Sequence, residues 1–320
     1  MSTPELELRP EEFAGAAAEA IAAVAGSGPR EAAAALGGAG LLGVCGAEED
    51  GGLGLGVAFA LPIAIEAGRQ QLPFPLIEHM LLARALAGAP EAAALCAGER
   101  LVTWAFQGSL ADGLAGHARE AEACDWVLVA DGEGGGALCA RESLAIRRDE
   151  ALDPEHPQCW LECGDARIAA RISRADFDAL RHDARILVAG FVHGIADAAL
   201  ARTADYLSTR VQFGRPLSAK QAVRHLLARM CLAREATGAS VRRLLEYDEF
   251  GARRDARAPL AHAIAQAAFV VEKAIHLHGG MGFTWELPLH RGLREVRKFD
   301  AAFGAGAPAR EAAADFIASA

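Results

Sequence analysis

The sequence predicts a mainly α protein with a β insertion: an N-terminal helical domain over 1–97, a small, shortened middle β domain over 98–173, and a C-terminal four-helix bundle over 174–320. Three observations predict it. Ala-rich segments broken by turn glycines fill the first region, as expected of short helices. Short β-branched and aromatic runs begin near Glu99. Beyond Ser173 apolar residues recur at gaps of three and four over long stretches, the period of amphipathic helices.

In the first region the helical segments are punctuated by Gly26-Ser27-Gly28-Pro29 and by Gly51-Gly52-Leu53-Gly54-Leu55-Gly56. The second cluster is no dinucleotide fingerprint, because it lacks the third-glycine spacing and follows no strand. In the second region 101–106 and 125–130 read as strands, 132–136 as a hairpin connection, and 137–146 and 166–172 as the rest of a small sheet. In the third, Ile186, Ala189, Val192, Ala196, Leu200 and Leu207 lie on one stripe. Ser218-Ala219-Lys220-Gln221 reads as a capping box, Ser and Gln each satisfying an orphan N–H, and opens a second helix. A third helix covers 259–278 and a fourth runs from Pro288 onward. Long helices with short connections pack as a four-helix bundle.

The chain has 320 residues, a net charge of −10, 52% hydrophobic and 23% charged residues. An acidic chain of this composition lacks the basic footprint of a nucleic-acid binder and is too apolar for global disorder. Seven scattered cysteines without a C-x-x-C pair give no metal site and are expected as reduced thiols in a cytoplasmic protein. From residues 1–10 no signal peptide is expected, and glycines and charges are expected to interrupt every apolar run before membrane-spanning length. No nucleic-acid or membrane partner is expected.

Two segments carry specific chemistry: Arg210-Val-Gln-Phe213-Gly214-Arg-Pro-Leu-Ser-Ala-Lys-Gln221, and His276-Leu-His278-Gly279-Gly280-Met-Gly282-Phe283-Thr284-Trp285-Glu286. An arginine can set a planar, permanently charged fork against a pyrophosphate. Taken alone, Arg210 could equally end a helix where a cation suits the dipole, Phe213 could be core, and the glycines a helix stop. Together the two segments resemble the C-terminal domain of the flavin-dependent acyl-CoA dehydrogenases. The stretch from Leu41 through Gly51-Gly52-Leu53-Gly54 to Arg69 is similar to the family's first helical domain. The resemblance implies FAD as cofactor and an acyl-CoA substrate. It implies cofactor contacts at Arg210, Phe213, Gly214, Gln221, His276, Gly279 and Gly280, made to the FAD of a neighbouring subunit.

The chain departs from that family in two places. The family's usual base, a Glu about two dozen residues beyond the Gly-Gly pair, corresponds to Phe303. A minority of members carry the base where this chain has Ala184, leaving Asp183 as the neighbouring candidate at a helix start. The middle region also lacks the Thr-Glu-Pro loop and Trp-Ile-Thr strand that cradle a subunit's own flavin. The reading is therefore the base-lacking partner of a heteromeric acyl-CoA dehydrogenase, completing the FAD site of a homologous subunit and passing electrons to an electron-transfer acceptor. Steroid-derived and other bulky CoA thioesters are a substrate class by analogy. The alternatives are a self-sufficient homo-oligomer with Asp183 as base, and a non-catalytic scaffold that has lost flavin.

Overall fold

The computed structural model describes residues 8–319. The reading of the extreme N-terminus falls largely on 1–7, outside the described residues. Five helices come first: α1 (Glu12–Ala23), α2 (Pro29–Gly38), α3 (Val57–Arg69), α4 (Leu76–Ala85) and α5 (Pro90–Cys96). Eight strands follow: β1 (Val102–Ala105), β2 (Gln107–Ser109), β3 (Leu114–Arg119), β4 (Trp126–Ala130), β5 (Gly136–Ala140), β6 (Ala145–Asp149), β7 (Gln158–Glu162) and β8 (Ile168–Ile172). The chain ends in α6 (Arg174–Thr209), the hairpin β9 (Val211–Gln212) and β10 (Arg215–Pro216), α7 (Gln221–Arg243), α8 (Arg257–Leu277), α9 (Leu289–Ala302) and α10 (Ala307–Ser319).

The strands form two four-stranded sheets, ordered β1-β4-β5-β8 and β2-β3-β7-β6. Among the described residues only β1 and β4 pair in parallel; the other neighbours in these sheets are antiparallel. The hairpin expected at 132–136 joins β4 to β5. The run expected as one strand over 137–146 is instead divided by a 3-10 turn, Arg141–Ser143, which sends β5 and β6 into different sheets. β2, β3 and β7 carry glycine, histidine, glutamine and charged residues and give no β-branched run to read.

α6 is the spine of the molecule. Its stripe is buried from Ile186 to Leu207, and α3 lies along it at backbone contact. A Cβ on Gly194 would come 2.0 Å from the Ile65 carbonyl oxygen, and one on Gly68 would come 1.9 Å from that of Phe191. These glycines do not interrupt the helix. α6 is consequently long and apolar enough to cross a membrane by length and composition, contrary to the sequence expectation, but 78% of its most apolar window is buried inside the protein. A core helix passes the same test.

Three further expectations are corrected. The capping box does not form: a 3-10 turn, Leu217–Ala219, takes Ser218 out of the cap position, and α7 starts at Gln221 behind Lys220 with no side-chain cap. The fourth helix is broken after Ala302, where Gly304, Ala305 and Gly306 all take left-handed backbone, so α10 is a separate helix. Asp183 is not at a helix start, because Ser173 caps α6 by accepting from the Asp176 N–H and the helix opens at Arg174.

A buried charge network fixes the sheets against the helices. Arg119 on β3 lies 3.2 Å from Glu295 on α9 and 3.6 Å from Glu78 on α4. Lys298 on α9 pairs with Glu295, and its Nζ donates to Asp153 and to the His156 carbonyl, each at 3.0 Å. Burial pushes the Glu78 carboxyl up against the lowering pull of Arg119. Deleting one member of such a set leaves an uncompensated buried charge, which costs about 3 to 5 kcal/mol.

Candidate functional site

At the end of α6 the chain turns directly into the β9–β10 hairpin, with Val211 opposite Pro216 and Gln212 opposite Arg215. The two turn residues are Phe213 and Gly214, both left-handed at φ 54° and 76°. Two positive-φ residues match the twist of a tight hairpin, but the position usually goes to Asn or Gly, and a large side chain is strained there. Phe213 nevertheless holds it, with its ring 90% exposed. The core alternative for Phe213 is thereby excluded. Arg210, the C-cap residue of α6, braces the hairpin through its backbone: its N–H donates to Tyr206 and its carbonyl accepts from Leu217, each at 2.9 Å. Its exposed guanidinium has no hydrogen-bond or ion-pair partner among the described residues.

The second segment closes α8. His276 is exposed in the last turn, whereas His278 is buried, with Nδ1 2.8 Å from the Ala274 carbonyl oxygen. The His278 ring stacks on Tyr206 of α6, centroids 4.5 Å apart and planes 17° apart. Gly279 is left-handed and opens a 3-10 turn, Gly279–Phe283. A Cβ at Gly279 or Gly280 would meet nothing within 4 Å, whereas one on Gly282 would strike the Ile275 carbonyl at 2.1 Å. Gly282 serves packing; the other two border open space where a ligand can approach the backbone.

The structure therefore gathers Arg210, Phe213, Gly214, Gln221, His276, Gly279 and Gly280 at one end of the bundle, where α6 and α8 finish and α7 begins. Around them Met281, Phe283 and Trp285 are exposed. Sequence reasoning missed Lys220 as more than part of a cap. Its ammonium lies 4.8 Å from the centroid of the Phe213 ring. The signal was present: from Tyr206 to Arg234 the sequence has no Asp or Glu but six cations, Arg210, Arg215, Lys220, Arg224, Arg229 and Arg234.

Phe303 and Asp183 lie elsewhere. Phe303 is buried at the end of α9, with its ring 5.7 Å from Phe106, which contacts Phe177 at 6.0 Å and stacks on Trp104 at 4.8 Å. Phe177 precedes Arg210 by 33 residues of one helix, a separation of about 50 Å at 1.5 Å per residue. Asp183 is buried and paired with Arg84, Arg253 and His182. Burial would raise its carboxyl, but the His182 hydrogen bond and the two guanidiniums outweigh burial and hold it at about 2. A carboxylate so held is a weak base at neutral pH.

All seven cysteines are free, six of them buried, and no metal-holding group of His, Cys, Asp and Glu occurs among the described residues.

A helical bundle with two sheets inserted before it is the architecture shared with acyl-CoA dehydrogenase structures. Residues 179–318 match the acyl-CoA dehydrogenase C-terminal domain family. The acyl-CoA dehydrogenase IpdE2 of Mycobacterium tuberculosis is 30% identical over 254 residues, spanning 76% of this chain and 72% of that protein. The structure of a Tcur3481-Tcur3483 steroid acyl-CoA dehydrogenase variant superposes with a TM-score of 0.82 at 26% identity, covering 97% of this chain and 98% of that one. The ChsE4-ChsE5 complex of M. tuberculosis shares the fold with a TM-score of 0.81 at 23% identity, covering 99% and 98%. The chain belongs to the acyl-CoA dehydrogenase family.

Proposed function

We propose that this chain is the base-lacking subunit of a heteromeric acyl-CoA dehydrogenase, organised as units 1–97, 98–173 and 174–320, and that it completes the FAD site of a homologous partner. The observation that carries this reading is the separation along α6. Phe299, one turn before Phe303, packs on Phe191 at 5.2 Å, 19 residues of α6 before Arg210, a separation of about 28 Å at 1.5 Å per residue, so the base position and the Arg210 end do not share one pocket within one chain. The Arg210 end then serves a flavin whose reacting ring is seated in another subunit.

The residues present fit the ADP half of FAD. Arg210 has a guanidinium without a partner among the described residues, no Asp or Glu occurs from Tyr206 to Arg234, and Gly279 and Gly280 leave room for close approach. FAD, when bound, supplies the oxidant for α,β-dehydrogenation of the thioester. Arg210 holds the pyrophosphate, Phe213 offers a flat surface to the adenine or ribose, and Gln221 and His276 donate hydrogen bonds from their exposed positions. No proton moves on this chain. Phe303 cannot accept one, and Asp183 is locked in its ion pairs, so the α-proton goes to a carboxylate of the partner.

The Tcur3481-Tcur3483 structure, which is named a steroid acyl-CoA dehydrogenase, supports a bulky CoA thioester as substrate class, with an electron-transfer acceptor reoxidising the flavin and the assembly in the cytoplasm. Co-expression with the neighbouring reading frame tests the proposal. A co-purifying homologous chain, flavin in the assembly and no dehydrogenase activity of this chain alone are expected. Activity of the purified chain by itself would establish the self-sufficient reading instead, and an assembly devoid of flavin would establish the scaffold.

A further inference from the structure

Only three lysines occur in the chain, at 220, 273 and 298, against an abundance of arginine. Lys298 is consumed by the buried charge network, and Lys273 lies 6.0 Å from the Phe269 ring on α8. Lys220 stands at the N-cap of α7, where its backbone N–H donates to Leu217 and its carbonyl accepts from Arg224, each at 3.0 Å. The main chain is thus fixed, while the ammonium makes no ion pair or hydrogen bond among the described residues and sits against Phe213.

Phe213 needs such a neighbour. Its ring stands almost free of the protein on a strained turn, and a solvent-bathed aromatic has little to hold one rotamer. A cation over one face of the ring is attracted by its quadrupole. It also occupies that face, so a planar ligand is left the opposite one. An ammonium beside an aromatic platform, in an acid-free cationic stretch shared with Arg210, is a second point charge suited to phosphate.

Resting on the shared-flavin reading above, we propose that Lys220 is a further cofactor-positioning residue. It backs the Phe213 ring from one side and supplies, with Arg210, a second cation for the pyrophosphate. Lys220 has no part in proton or electron transfer.

The test is titration of FAD into the co-expressed assembly, followed by flavin fluorescence at low and high salt, with thermal melting as a control of fold. Lys220→Met keeps the apolar stem and removes the charge; it is expected to weaken FAD binding about tenfold, the size of one charge-assisted contact, and to flatten the salt dependence. Lys220→Arg should restore most of the affinity. ADP, used as competitor, should lose affinity in parallel, whereas riboflavin, which has no phosphate, should not. Unchanged FAD affinity in Lys220→Met, or an equal loss for riboflavin, would overturn the proposal, as would failure of arginine to rescue. Should Lys220→Met not assemble, Lys220→Gln answers the same question. Arg210→Ala in the same titration separates the two readings: weakening by Arg210→Ala alone rejects the role of Lys220, and no effect from either variant rejects the shared-flavin site as well.

Discussion

The ring of Tyr206 on α6 stacks on the ring of His278 on α8 at 4.5 Å and 17°, and this contact joins the segment that begins at Arg210 to the one that holds Gly279 and Gly280. Tyr206 lies one turn before Arg210, and His278 directly precedes Gly279. The buried His278 adds its own hydrogen bond to Ala274.

Tyr206→Ala should therefore weaken flavin retention without touching either motif. A stacked aromatic pair contributes about 0.5 to 1.5 kcal/mol beyond its buried area. A small loss of melting temperature with a larger fractional loss of bound flavin is expected. Wild-type retention in a folded Tyr206→Ala assembly would show that the motifs are held by other contacts.

Arg210→Ala removes the unpartnered guanidinium, at an expected cost of about 1.5 to 3 kcal/mol in cofactor retention. Circular dichroism should be unchanged, since the hairpin is braced by Arg210 backbone atoms, which alanine keeps. Flavin content after gel filtration measures the effect, and an unaltered content would make Arg210 a simple helix-end cation.

Asp183→Asn should leave the activity of the folded assembly within about tenfold of wild type, because a true general base contributes about 10² to 10⁴-fold. Stability should fall by about 2 kcal/mol. The sign follows from a folded-state carboxyl held at about 2, below the ordinary value near 3.9. The stabilisation is present above pH ~4 and is lost as pH falls through the folded value. Acid unfolding followed by fluorescence should thus separate wild type from Asp183→Asn at neutral pH and converge near pH ~2. An activity loss beyond a hundredfold with flavin retained would make Asp183 the base.

Phe303→Glu places a carboxyl among Trp104, Phe106 and Phe177. Burying an unpaired carboxyl is costly, and a loss of about 3 kcal/mol or more is expected, with no activity gained by the chain alone. Dehydrogenase turnover by purified Phe303→Glu would mean that only the base was missing.

The helical regions were legible because Ile186 to Leu207 keeps one apolar period over many turns. Each motif was legible as a string because its residues are nearly contiguous, Arg210 to Gly214 and Gly279-Gly280. What escaped was local backbone choice. β3, with Gly116, His117 and Arg119, carries no strand signature because its pairing is set by β2 and β7 on either side. The Ser218 capping box has the right residues but the wrong backbone, since a 3-10 turn precedes the helix. Asp183 looked like a helix-start charge because the true start at Arg174 is marked only by Ser173, and its partners Arg84 and Arg253 are remote in sequence.

Stoichiometry tests the central claim most directly. If this chain completes a neighbour's flavin site and cannot seat a flavin ring of its own, the assembly with its homologous partner holds one FAD for each pair of unlike chains. Native mass spectrometry of the co-expressed assembly, combined with the absorbance of released flavin, reads that ratio. One FAD per unlike pair is predicted, whereas a homo-oligomer of this chain alone carrying one FAD per subunit would contradict the account.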